Sequence, residues 1–135
     1  MGRAWVEATR LGCAAVTPDD LRAMRRAYNR METAVLADHV GEALNCDEEL
    51  LIVLYTAGGN PVLLDLVQNL WQRCRAFKLL GADSDGRTRP DEGAWATQQR
   101  LLEAVEARDP EAAVAVTRES LESAQRRIHE LLGGR

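Results

Sequence analysis

The sequence predicts an all-α fold, an antiparallel bundle of about six helices. Three observations lead there. Ala, Leu and Val dominate an apolar fraction of 46%, while aromatic residues make up only 4%, a balance that favours helix over sheet. Apolar residues recur at three- and four-residue intervals along most of the chain, and no segment carries a rival strand signal. Finally, Thr17-Pro18, Asn60-Pro61 and Asp109-Pro110 each place a capping side chain directly before a proline. That order marks a helix start, because proline lacks only an N–H that the first turn leaves unpaired anyway.

The first helix is predicted over about 4–15, with Trp5, Ala8, Leu11 and Ala15 on one stripe. Thr17-Pro18-Asp19-Asp20 opens the second. Thr17 suits the N-cap, Pro18 the first helical position, and Asp20 completes a capping-box-like spacing. Leu21, Met24, Tyr28 and Met31 follow at helical intervals. The third helix runs over about 36–57, capped by Asp38 or by Asn45, with Leu44, Asp47, Leu50, Leu51 and Leu54 clustered on one side. Gly58-Gly59 ends it, since glycine accepts the left-handed conformation at a helix C-terminus. Asn60-Pro61 opens a long apolar fourth helix to about 80, and residues 81–91, GADSDGRTRPD, read as a loop. A fifth helix spans about 92–107, and Asp109-Pro110 starts the last, about 110–132. The mostly short connections make neighbouring helices antiparallel.

At 135 residues the chain is expected to form one domain, 1–135, large enough for a real core. No apolar run reaches the length of a membrane span, and MGRAWVEATR lacks the continuous apolar segment of a signal peptide. Cys13, Cys46 and Cys74 are an odd number without metal-type spacing, which reads as a reduced, cytoplasmic thiol set. Formal net charge is −4, and the cations, almost all Arg, are dispersed among acids. Stand-alone nucleic-acid binding, which needs a concentrated positive surface, is disfavoured. No phosphate loop, Ser-His-Asp order or Cys-His signature is present, and adjacent acids such as Glu48-Glu49 point in different directions on a helix. The expectation is that the chain is not an enzyme.

Spacing brings a few polar residues inward. Gln98 lies three residues after Trp95 and four before Leu102, on the inward face of the fifth helix. In the last helix Ala113, Thr117, Leu121, Ala124, Ile128 and Leu131 define another such face, with Thr117 and Ser120 on or beside it. Asp47 sits one turn from Leu50 and Leu51. These side chains could line a common cavity. On spacing alone the plainer reading is a solvated Asp47, with Thr117 and Ser120 bonded to their own backbone.

Three stretches carry a family resemblance: VTPDDLRAMRRAYNRM (16–31), CDEELLIVLYTAGGNP (46–61) and WATQQRLLEAVEARDPEAAVAVTRESL (95–121). Together they resemble the effector-binding C-terminal domain of FadR-type GntR transcription regulators, the FCD domain. The family's Ala-Gly-Asn element is matched by Ala57-Gly58-Gly59-Asn60. Many members hold a metal with one Asp and three His. Here Asp47 remains, while the aligned His positions are Leu51, Gln98 and Ser120. Leucine has no lone pair, and Gln and Ser are poor ligands for a transition metal beside one carboxylate. No metal and no cofactor are therefore expected. His39 and His129 do not occupy the family's ligand positions.

The resemblance implies a small-molecule effector, a carboxylate or an acyl compound, bound at Asp47, Leu51, Gln98, Thr117 and Ser120. Arg73, Arg75 and Arg100 are candidate anion anchors, since a guanidinium can grip a carboxylate bidentately. It also implies a homodimer. The fourth helix is apolar on two sides, with Leu63, Leu66, Val67, Leu70, Cys74 and Phe77 on one and Leu64 and Trp71 on the other. Leu63, Leu64, Val67 and Trp71 are the predicted contact residues. DNA would be reached only through a winged-helix domain that this chain lacks, and no membrane is involved. The competing reading is a degenerate module that dimerises and binds no ligand.

Overall fold

The computed structural model describes residues 2–84 and 92–133; side chains at 74–84 and 92–95, and several in the last three turns of the chain, lie outside the described residues. Six helices follow one another among the described residues: α1 Gly2–Ala15, α2 Pro18–Leu36, α3 Val40–Ala57, α4 Pro61–Ser84, α5 Glu92–Glu106 and α6 Pro110–Gly133. No strand occurs among the described residues. No helix among them is long and apolar enough to cross a membrane.

The proline-marked starts form as their sequences dictate. Thr17 Oγ1 accepts from the Asp20 N–H at 3.1 Å and Asp20 Oδ2 accepts from the Thr17 N–H at 3.0 Å, a reciprocal capping box. Asn60 Oδ1 accepts from the Leu63 N–H at 3.1 Å, and Asp109 Oδ1 from the Ala112 N–H at 3.1 Å. The start of α3 differs from expectation. Its N-cap is His39, without a side-chain hydrogen bond, and neither Asp38 nor Asn45 serves. Asp38 instead ends α2 in the left-handed region, at φ 58°. The fourth helix also runs further than expected, to Ser84, so of the predicted loop only 85–91 lies outside the described residues.

The two tight reversals share one device. After α2, the His39 N–H reaches back to Ala34 O at 2.8 Å and the Asp38 N–H to Val35 O at 3.1 Å. After α5, the Asp109 N–H reaches Ala104 O at 2.9 Å and the Arg108 N–H reaches Val105 O at 3.0 Å. Both are Schellman motifs, which satisfy carbonyls that a helix end leaves bare. Glycine usually holds the left-handed position; here Asp38 and Arg108 hold it, Arg108 at φ 55°. Asp tolerates that conformation readily, whereas Arg pays about 1 kcal/mol or more for its Cβ. Gly59, at φ 74°, plays the expected part after α3.

These turns produce the pairs α2–α3 and α5–α6, with α2 also packed on α5; α1 lies against both α3 and α6, and α4 flanks α1, α3 and α6. Met24, Met31, Leu50, Leu54, Leu102, Val67 and Val105 are fully buried at the centre. Ion pairs pin the outer edges: Arg25 to Glu106 at 2.7 Å between α2 and α5, and Arg30 to Glu49 between α2 and α3.

The buried face of α1 is not the predicted one. Trp5 and Ala8 are buried, but Leu11 is 36% exposed and Ala15 is exposed. Thr9, Gly12, Cys13 and Val16 complete the inward stripe instead. The cause is Gly12. A Cβ there would lie 2.2 Å from Leu54 O, so glycine lets the backbone of α1 settle directly on α3. That contact turns Thr9 inward and Leu11 outward.

Candidate functional site

The described interior is apolar except at one level of the bundle. Its buried polar or charged residues are Thr9 on α1, Asp47 on α3, Gln98 on α5 and Thr117 on α6. They meet in pairs. Gln98 Nε2 donates to Asp47 Oδ1, joining α5 to α3. Thr9 and Thr117 hydroxyls lie 3.0 Å apart, joining α1 to α6. Thr9 Oγ1 also donates to Trp5 O at 2.8 Å. A hydroxyl has one proton, so Thr117 is the donor in the threonine pair.

Tyr55 lies near both pairs. It is buried, and burial pushes its phenol well above the ordinary range; the polar neighbour Thr9 opposes this shift and the charge of Asp47 adds to it. Its ring packs against Trp71 of α4, with centroids 5.8 Å apart and planes tilted by 36°. All helices except α2 therefore contribute a side chain to this level.

Of the residues predicted for the site, Asp47, Leu51, Gln98 and Thr117 are all buried here or against it. Ser120 is not. It is exposed, because it lies nearly one turn beyond Thr117 on the outward side of α6. The arginines are not brought in either. Arg73 is exposed, and the Arg75 side chain lies outside the described residues, as do those of Trp95, Ala124, Ile128 and Leu131. Arg100 grips Glu119 bidentately on the surface, at 3.0 and 2.9 Å. That grip raises the Arg100 pKa and lowers that of Glu119. Thr9 was missed. The signal available was its spacing, four residues after Trp5 and four before Cys13, which places a hydroxyl inside an otherwise apolar stripe.

The residues present do not fit the metal that related domains hold. Leu51 offers no ligand atom, and Ser120 faces away. The Gln98 amide turns its N–H, not its oxygen, toward Asp47. Among the described residues no group of three or more His, Cys, Asp or Glu side chains converges on one point. Cys13 and Cys46 are buried free thiols whose pKa burial raises, which keeps them protonated and poor as ligands. A separate groove of about 610 Å³ runs along the α1–α6 seam, lined by Arg3, Val6, Arg10, Arg118 and Leu121 among others. It includes none of the buried polar residues.

The predicted contact residues of α4 divide. Val67 and Trp71 are buried by their own chain, so they are committed to its core, while Leu63 and Leu64 are partly buried. Among the described residues, the large apolar side chains that α4 exposes are Val62, at 78%, and Leu66, at 48%. Both lie on a face rotated away from Val67 and Trp71.

Comparison with known proteins places this arrangement. Residues 6–123 match the FCD domain family. The fold is similar to that of E. coli McbR/YncC, with a TM-score of 0.76 at 17% identity. The match covers 93% of this chain and 64% of that protein, so the chain spans less than two thirds of that protein's length. Comparison with curated protein sequences gave no match.

Proposed function

The chain belongs to the FCD domain family, and on that premise we propose that it is an effector-binding regulatory domain that takes a small metabolite at the Asp47–Gln98–Thr117 centre without a metal. One observation carries this reading. Four buried polar side chains from four helices meet at a single level of an otherwise apolar bundle. Burying such groups is unfavourable in an apolar core, and a few convergent polar side chains inside an apolar bundle are what fixes the orientation of a small ligand. Leu51, at the position where related domains place a ligating His, supplies an apolar wall.

A homodimer built on α4 belongs to the same reading, with Val62 and Leu66 rather than Val67 and Trp71 at the contact. DNA would be engaged through a winged-helix domain on another part of the regulator. Two measurements test the proposal. Elemental analysis after dialysis should find no stoichiometric Zn, Ni or Mn, and about one ion per chain would overturn the metal-free centre. Light scattering with size exclusion should give twice the 14.9 kDa of one chain, and Leu66→Glu should halve it. A monomeric wild type at micromolar concentration would refute the dimer.

The alternative is a closed interaction module. Its support is that the pairs Thr9–Thr117 and Asp47–Gln98 already bond internally. Thermal denaturation of Gln98→Leu separates the two readings. A sensor loses ligand response with little change in stability. A closed network is destabilised by about 1–3 kcal/mol, because the buried Asp47 carboxylate loses its bond from Gln98.

A further inference from the structure

The groove on the α1–α6 seam, about 610 Å³, has the size of a small-ligand site, about 300–1,000 Å³. Its walls sort by height along the two helices. The Thr9–Thr117 contact marks one level, and residues 3–10 of α1 share the groove with 118–125 of α6, so the helices run antiparallel. Counting 1.5 Å per residue, Arg10 and Arg118 both fall within about 1.5 Å of the threonine level. Val6 and Leu121 follow about 5 Å further down, and Arg3 and Glu122 about 8 Å down. One end is thus cationic, the middle is apolar, and the far end sets a cation level with an acid. The cationic end is not neutralised from within the chain. Arg10 donates to Glu7 at 2.8 Å, which offsets its charge. Arg118 is exposed and has no ion pair among the described residues, whereas Arg22, Arg25, Arg30 and Arg100 each meet an acid. Two guanidinium groups against one carboxylate leave a single positive charge there. Val6 and Leu121 are half-buried, and Leu121 packs against the core, so the floor beside that charge is apolar and anchored.

We propose that this groove, separate from the buried polar level, is a binding site for a small monoanionic amphiphile, its carboxylate head at Arg10 and Arg118 and its short aliphatic body along Val6 and Leu121. The inference does not rest on the effector-binding reading. A guanidinium meets a carboxylate with two parallel N–H bonds, and the single uncompensated charge matches a monoanion. The apolar floor rewards a body that covers it, since only the area removed from water contributes. The residue next to each head-binding arginine is a threonine of the Thr9–Thr117 bond, so the ligand would straddle the seam that this bond closes from within.

Three probes test this in the full chain, labelled with 15N and with 13C at its methyl groups, at neutral pH: hexanoate, acetate, which has the head without the body, and hexan-1-ol, which has the body without the charge. The readout is the Val6 and Leu121 methyl resonances. Hexanoate should shift both saturably and bind about tenfold more tightly than either control, a modest return for the added methylenes on an open floor. Arg118→Gln should weaken hexanoate by about three- to fivefold, the worth of an exposed ion pair, and Arg118→Lys should keep most of the affinity. Arg26→Gln, which removes an exposed arginine of α2 outside the groove, should change nothing. The inference is overturned if the two methyl resonances stay still, if acetate or hexan-1-ol binds as well as hexanoate, or if Arg26→Gln weakens binding as much as Arg118→Gln. It is also overturned if hexanoate moves the Gln98 side-chain NH2 resonance in place of the two methyls, and that result would support the effector-binding reading.

Discussion

Gly12 and Gly41 both lie inside helices, and alanine is the better helix former at either site by up to about 1 kcal/mol. The structure predicts opposite outcomes. At Gly41 a Cβ would meet nothing within 4 Å. Gly41→Ala should therefore be stabilising by about 0.5 kcal/mol, the smaller end of the range because the site is in the first turn of α3. At Gly12 a Cβ would lie 2.2 Å from Leu54 O, 2.8 Å from Leu54 Cδ1 and 2.9 Å from Leu54 C. Two of those atoms are backbone and cannot rotate aside. Restoring ordinary contact, which begins at 3.4 Å, requires α1 to retreat from α3 by about 1.2 Å.

Overpacking of this kind costs about 1–3 kcal/mol, and the propensity gain recovers at most about 1. The retreat also disturbs the Thr9–Thr117 contact, which at 3.0 Å has little slack before it ceases to be a hydrogen bond. Gly12→Ala should be net destabilising by about 2 kcal/mol. Urea unfolding of both variants measures this as a fall in midpoint for Gly12→Ala and a rise for Gly41→Ala, at unchanged m-value. A Gly12→Ala protein as stable as wild type would refute the reading that glycine is there for close approach. Failure of both variants to move would mean that neither glycine's surroundings are as described.

Other outcomes follow from the same contacts. Thr9→Val should cost about 1–3 kcal/mol by stranding the Thr117 hydroxyl, and the Thr9→Val/Thr117→Val pair should cost less than the two singles together; additive effects in a double-mutant cycle would show that the hydroxyls do not interact. Cys13 and Cys46, buried and with thiol pKa values raised by desolvation, should resist iodoacetamide in the native protein at neutral pH and react on unfolding. Peptide mass mapping reads each site separately, and rapid native labelling at either one would contradict its burial.

Most of the helix plan was legible because its signals are local. Thr17, Asn60 and Asp109 cap their own helices through atoms three residues away. The turns at Asp38 and Arg108 were harder to read, since the left-handed position there carries no glycine and only the returning backbone bonds reveal it. The site was partly legible. Asp47, Gln98 and Thr117 each sit on or beside an apolar stripe, but for Asp47 and Thr117 spacing alone favours a solvated or self-bonded side chain, and only the family resemblance points them to one site. Thr9 was hidden because the face of α1 is decided by a steric contact with Leu54 on another helix, which no periodicity encodes. Ser120 was misplaced for a related reason. A family position fixes a place along α6, but whether its side chain turns inward depends on where α6 meets α1 and α5.

The polar level also bears on why this sequence selects one packing. A core of Ala, Leu, Val and Met can be repacked in several registers at small cost, since volume and pattern matter more than identity. Hydrogen bonds are less forgiving. Thr9 can meet Thr117, and Gln98 can meet Asp47, only when α1 aligns with α6 and α5 with α3 at one relative height. A slip of one turn, about 5.4 Å, would break both of these inter-helix pairs. Gly12 sets the distance of α1 from α3, and Thr9, three residues earlier on the same helix, sets its height against α6. The buried polar level is thus the level that fixes the helices' alignment.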